Sequence, residues 1–240
     1  MKLLDEVIEA HGGMDRWKKV KQVLADVSIT GSTWEAKGFK DILSCVAVAA
    51  DVRDQRVTIS PFVMGNQRGI FTPERVAVET FDGETLLERE NPTEAYAEHV
   101  YLSQWDPLHL AYFCGYAMWN YLNAPFFFAW KGVEVEELGP VDSETDHDSR
   151  LKLKFPKNLA THCPDQIYYV NKDRLLTRLD YSATATKSGP TGHLMTEHKS
   201  FDGIVVPTHR IALPRNEDDT LVPGRPKVEI KFRNVTIIPA

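Results

Sequence analysis

The sequence predicts a mainly β, α+β protein: a single large curved antiparallel sheet forming an open half-barrel around an apolar helix, with a short N-terminal helix. Three observations lead there. Strand-like runs joined by short polar links lie on both sides of residues 106–122, and short links imply antiparallel pairing because parallel strands need long crossovers. Residues 108–122 are apolar nearly all round, so a helix there must be buried on most sides. A sheet this wide cannot stay flat, and its concave side is the place for that helix.

Taken in order, Leu3, Leu4, Val7 and Ile8 share one helical face, and Gly12-Gly13 ends that helix within an N-terminal helical segment, residues 1–20. Val23 to Thr30 alternates with a period of two and reads as a half-buried strand. Phe39–Asp51 and Arg56–Ser60 are strand-like, and Pro61 breaks the run. Val76–Phe81 and Glu84–Glu88 flank Asp82-Gly83, the strongest local hairpin signal in the chain. Asp106 is placed to cap the apolar helix with Pro107 at its first position, and Asn123–Pro125 ends it. Strand candidates follow at 133–138, 150–155, 166–170, 175–181, 194–201, 205–213 and 227–237, with 216–226 an exposed loop.

Composition excludes several classes. The chain has 240 residues and a formal net charge of −6, which argues against nucleic acid as a partner, since that needs a basic stripe. No change of composition marks a boundary, so residues 1–240 are read as one domain. No run reaches the ~20 apolar residues of a membrane span. Acids interrupt the N-terminal apolar run at Asp5 and Glu6, so no export signal is read and a cytoplasmic location is expected. The cysteines, Cys45, Cys114 and Cys163, form neither a disulfide framework nor a zinc pattern. Cys45 and Cys114 read as small buried hydrophobes, and Cys163 beside His162 is a weak nucleophile signal.

Two segments carry a resemblance. Ala10-His11-Gly12-Gly13-Met14-Asp15-Arg16-Trp17 before a strand is one. The other runs from His162 through Gln166-Ile167-Tyr168 and Leu175–Tyr181 to Asp202-Gly203-Ile204-Val205-Val206-Pro207-Thr208. Both are similar to uncharacterised bacterial proteins that look like soluble relatives of the outer-membrane lipoprotein-carrier half-barrel superfamily. The resemblance implies a hydrophobic ligand cavity between sheet and helix. Some superfamily members are small enzymes that use no cofactor, so fold alone does not decide function.

No nucleotide loop, nucleophile elbow or zincin string is present, and no cofactor is expected. A metal site from His162, His198 and His209 has only generic spacing, and none is assigned. His109, Phe113, Tyr116 and Asn120 share one helix face. Gln166 and Tyr168 share a strand face, as do Leu176, Arg178 and Asp180; a three-residue hairpin loop with a bulge would align Gln166 with Asp180, a four-residue loop would not, and the sequence allows either. His209 and Arg210 point to opposite faces, so one residue of each strand can enter the cavity.

Two functions compete. The leading one is a cofactor-independent enzyme doing acid–base chemistry (isomerisation, cyclisation, dehydration or hydrolysis) on a small hydrophobic substrate. Its base would be His198 oriented by Asp180, with Arg210 and Tyr116 stabilising an oxyanion and His109 as a second acid. The alternative is a non-catalytic carrier of a fatty acid or isoprenoid, in which Arg210 would hold a ligand carboxylate. In either case Trp105, Tyr112, Phe113, Trp119, His162, Gln166, Tyr168 and Arg178 are the candidate ligand contacts. Oligomeric state stays open, a dimer through a sheet edge being one option.

Overall fold

The structure, a computed structural model, describes residues 2–139 and 149–240. The chain opens with α1 (Leu3–Ala10) and α2 (Met14–Trp17), then β1 (Val20–Thr30), α3 (Ser32–Ala36), β2 (Val46–Asp51), β3 (Val57–Ser60), β4 (Gln67–Phe71), β5 (Arg75–Thr80) and β6 (Thr85–Glu90). The long helix α4 (Pro107–Asn123) follows. After it come β7 (Glu134–Leu138), β8 (Ser149–Lys154), β9 (Asp165–Val170), β10 (Leu176–Ser182), β11 (Pro190–Phe201), β12 (Ile204–Pro214) and β13 (Val228–Pro239).

All thirteen strands form one sheet, in the order β6-β5-β4-β3-β2-β1-β13-β12-β11-β10-β9-β8-β7. Every pairing is antiparallel. The sheet is thus two meanders joined where the first and last strands pair. β6 and β7 are its two free edges, so it stays open, and α4 connects them by crossing the concave side. The first half of the sheet, β2 to β6, packs against this helix.

Residues Leu108 to Asn123 of α4 are all buried. A helix start buried in this way cannot rely on water for its free N–H groups. Asp106 supplies the cap: its Oδ1 accepts from the His109 amide at 2.9 Å, and the His109 Nδ1 returns to the Asp106 amide at 3.2 Å. Arg89 grips the same carboxylate, Nη2 to Oδ2 at 2.6 Å. Burial pushes the Asp106 pKa up, but the His109 and Arg89 hydrogen bonds outweigh it and hold the carboxyl well below its usual range.

The two segments that carried the resemblance touch. Asp202 and Gly203 turn the β11–β12 hairpin with positive φ at both, as a two-residue primed turn requires. The turn after α1 sits on that hairpin. The Val205 amide donates to the His11 carbonyl at 3.0 Å, and a Cβ on Gly12 would stand 2.3 Å from the Gly203 oxygen. Only glycine permits that approach.

Some local expectations fail. Residues 39–45 are turns, not strand, and Ser32–Ala36 is helical, with Trp34 Nε1 donating to the Thr30 carbonyl at 3.1 Å. β4 escapes a pattern reading because Gln67-Arg68-Gly69 has no alternation; Gly69 is there because the Phe62 ring covers it. Cys45 is exposed rather than buried, since the strand begins one residue later, while Cys114 is buried.

Gly115 lets α4 lie against β4: a Cβ there would stand 2.2 Å from the Phe71 Cβ. Alanine would gain about 1 kcal/mol of helix propensity, but overpacking costs about 1–3 kcal/mol, and here the obstacle lies at the root of the Phe71 side chain. Gly115→Ala is therefore expected to lower stability in urea unfolding; an unchanged or higher midpoint would show that the sheet yields.

Candidate functional site: a cleft beside the central helix

A cleft of about 250 Å³ opens between α4, the β8–β9 connection and the segment after β10. Tyr112 and Tyr116 of α4 form one wall and Tyr96 and Thr93 a second; residues 155–157 and 159–164, with the exposed Lys157 among them, and Thr184 and Ala185 complete it. No carboxylate lines it. The β8–β9 connection is held by side chains. Gln55 makes a reciprocal pair with Ala160, Nε2 to the carbonyl at 2.9 Å and amide to Oε1 at 2.7 Å, and Asn120 Nδ2 donates to the same carbonyl at 3.0 Å. The Thr184 amide donates to the His162 carbonyl at 2.9 Å. These bonds fix the His162 ring at the base of the cleft.

From His162 a polar network runs inward. Its Nδ1 stands 3.2 Å from the Tyr116 hydroxyl and its Nε2 2.7 Å from the Tyr121 hydroxyl. Its ring stacks on Tyr181 at 4.1 Å, and Tyr181 is hydrogen-bonded to Tyr121. A neutral imidazole suits two such partners, donating through one nitrogen and accepting through the other. Burial first, and the Arg210 charge second, lower the His162 pKa to about 3. His193 is likewise pushed well down by burial and by Arg210. Burial also pushes the Tyr116, Tyr121, Tyr168 and Tyr181 phenols up, so all stay protonated.

Arg210 lies one ring deeper. It is 1% exposed, with its guanidinium carbon 4.1 Å from the centre of the Tyr121 ring. Its Nε donates to His193 Nε2 at a long 3.4 Å. The register explains the convergence: His193 faces Leu179 on β10, and Met195, two residues on, faces Arg210 on β12. All of these side chains therefore point to the concave side.

The expected catalytic pair is not assembled. His198 Nε2 is bound to the Leu176 carbonyl at 2.8 Å. Asp180 lies four residues further along that strand, ~13 Å at the usual rise, and takes a bidentate grip from Arg178 at 2.6 and 2.8 Å. Tyr169 donates to the same carboxylate at 3.0 Å, and Arg215 stands 3.5 Å away. The β10–β11 register sets Asp180 opposite Gly192, six residues from His198, and a shift of register between Leu176 and Arg178 in the β9–β10 ladder changes its face. It turns Arg178 and Asp180 to the outer face while Leu176, Leu179 and Tyr181 stay inside. Asp180 pairs with Ile167, not Gln166. The Arg178–Asp180 pair holds the 216–226 loop through the Asp219 carbonyl, 2.7 Å from Arg178 Nη2.

Of the other candidates, Tyr112, Tyr116 and His162 meet in the cleft. His109 does not: it caps α4, and its Nε2 reaches the Ala95 carbonyl at 3.3 Å. Trp105 packs on Phe113 and Tyr96, under the Lys37 ammonium. Trp119 donates to the Asp51 and Asp54 carbonyls at 2.8 and 2.9 Å. Phe113 lines a cavity of about 20 Å³ on the far side of the network. Gln166 binds the Cys163 carbonyl at 2.9 Å, and the Tyr168 ring packs tilted against Phe128 at 4.6 Å. His209 pairs with Glu229 at 2.9 Å, so His162, His198 and His209 do not converge. Cys163 borders the cleft, its thiol pushed up by burial and bound to the Asp165 carbonyl at 3.0 Å. Tyr121, Tyr181 and His193 are the members that sequence reasoning missed, and nothing local singled out the two tyrosines.

Solved structures share this architecture. A DUF1329 family protein from Desulfovibrio piger matches with a TM-score of 0.54 at 13% identity, covering 98% of this chain and 91% of that one. A LolA superfamily protein from Nitrosomonas europaea matches with a TM-score of 0.52 at 10% identity, with the same 98% and 91% coverage. Likeness at this identity is one of fold, and the fold is the lipoprotein-carrier half-barrel that the sequence resemblance implied. No protein-family model and no curated protein sequence matches the chain. Among the described residues, no helix is long and apolar enough to cross a membrane.

The neutral His162 has a consequence for stability. Its pKa is about 3 when folded against an ordinary 6.5, so between those values the unfolded chain holds the extra proton and stability falls as pH falls. The limiting slope is about 1.4 kcal/mol per pH unit for each such histidine. Urea midpoints should drop between about pH 6.5 and about pH 4.5, and less steeply in His162→Gln. Equal slopes in both proteins would show that His162 takes up its proton in the folded state.

Proposed function

We propose that this protein binds a small hydrophobic molecule in the cleft beside α4, as a binding protein or carrier. The observation that carries this reading is the cleft's wall: mostly apolar groups, phenols held protonated and an imidazole held neutral, with no carboxylate and one charged side chain, the exposed Lys157. Such a wall favours an apolar occupant and offers a few hydrogen bonds to orient it. Its ~250 Å³ is close to the lower end of small-molecule sites, about 300 Å³. The fold's open concave side supports the same reading. Acid–base catalysis would need a base and an orienting acid at one place, and Asp180 stands on the outer face. The three cysteines are free thiols, Cys45 exposed, which fits the reducing cytoplasm.

The test uses the uncharged dye Nile red. It is expected to bind the full chain near one-to-one, with Ala160→Trp, which fills the cleft, weakening it about ten-fold, or ~1.4 kcal/mol. Full-strength binding by a folded Ala160→Trp would place the dye elsewhere and remove the cleft as the site.

A further inference from the structure

We propose that the ligand is an apolar carboxylic acid and that Arg210 holds its carboxylate. This rests on the reading of the protein as a binder of hydrophobic molecules and adds the chemistry of the head group.

Two adjoining buried groups point to it. Arg210 is 1% exposed, and no carboxylate among the described residues lies within ion-pair distance of it. Its contacts are the face of Tyr121 and the long bond to His193. A buried charge without a counter-charge is one of the most costly features a core can carry, several kcal/mol in effective terms. The second group is His193, whose Nδ1 is buried and has no hydrogen-bond partner. A guanidinium that lacks an anion, next to an imidazole nitrogen that lacks a partner, is a site for an oxygen-bearing anion.

The outer face supplies the contrast. There Arg178 is as thoroughly matched as an arginine can be, with a bidentate carboxylate, a carbonyl and the Tyr169 ring. The same chain thus satisfies one buried arginine fully and leaves the other on a π face. Charge count selects the anion: His162 and His193 are neutral, so Arg210 is the buried cation of this network, while the cleft's Lys157 is exposed. One guanidinium balances a monoanion, and its planar fork matches a carboxylate; a phosphate would keep a second charge uncompensated.

A chain of contacts joins the cleft to Arg210. His162 and Tyr116 form the base of the cleft, and the far nitrogen of His162 binds Tyr121, whose ring lies against Arg210. His162 sits on the β8–β9 connection, outside the sheet ladder, and that connection is anchored by Gln55 and Asn120. An acid advancing head first exchanges the His162–Tyr121 hydrogen bond for bonds to the same hydroxyl and to the guanidinium, while its chain stays in the cleft.

The experiment compares decanoate with decan-1-ol by calorimetry on the full chain at neutral pH, with Nile red as the reference. The wild type is expected to bind decanoate at least about ten-fold more tightly than the alcohol. Arg210→Met should bring the acid-to-alcohol ratio near one. Arg210→Lys keeps the charge but loses the fork, and should fall between. Thermal melting checks that each variant is folded, and the wild-type ratio needs no variant at all. If Nile red binds but the wild type shows no preference for the acid, this proposal fails and the apolar-binding reading stands. If a folded Arg210→Met keeps the preference, the head group lies elsewhere and the proposal also fails. If neither Nile red nor the alcohol binds the wild type, the cleft reading itself falls.

Discussion

A seventeen-residue helix with no polar face governs this molecule. Every residue from Leu108 to Asn123 is buried, so α4 must be enclosed on all sides, and one flat layer cannot do that. A sheet that starts in the middle, runs out to one edge and returns from the other edge to the middle can. β1 and β13 meet at the centre of that sheet, and α4 spans its hollow between the edge strands β6 and β7. Gly115 sets how closely helix and sheet approach at Phe71. The Asp106–His109 cap satisfies helix-end groups that lie out of reach of water.

Enclosure on all sides forces the helix's own polar groups to find partners indoors. Trp119 and Asn123 turn to the Asp51 carbonyl, Asn120 to Ala160, and Tyr116 and Tyr121 to the two nitrogens of His162. Neutral groups that both donate and accept are suited to this, because they satisfy each other without placing charge in a poorly solvated interior. Arg210 is the departure from that rule, and it lies where the network that begins at the cleft ends. The binding reading starts from the cleft, and the head-group assignment from the buried charge of Arg210 at the inner end of this network.

The comparison of Arg178 with Arg210 also shows how little side-chain identity reveals before strands are registered. In the sequence both sit on apolar strands near histidines and acids. In the structure one fastens an outer loop and the other faces the helix. A single irregularity between Leu176 and Arg178 decides which: with period-two geometry, a shift of one residue moves a whole strand segment to the opposite face.

What the sequence by itself determined is the set of features that act over a few residues. Asp82-Gly83 and Asp202-Gly203 specify tight turns, Asp106-Pro107 specifies a helix start, and the unbroken apolar character of residues 108–122 specifies burial. From these and the strand spacing, the half-barrel and its enclosed helix follow; parity put His209 and Arg210 on opposite faces without saying which of them enters. Tertiary structure alone decided what meets what. The β10–β11 register that set Asp180 opposite Gly192 rather than near His198, the β8–β9 connection that brought His162 between Tyr116 and Tyr121, and the cap that claimed His109 all join residues distant in the chain or choose between equally allowed local bonds. Local periodicity is set by backbone geometry and survives in any context; register and loop placement are set by the packing of the whole sheet around α4, which no short stretch of sequence encodes.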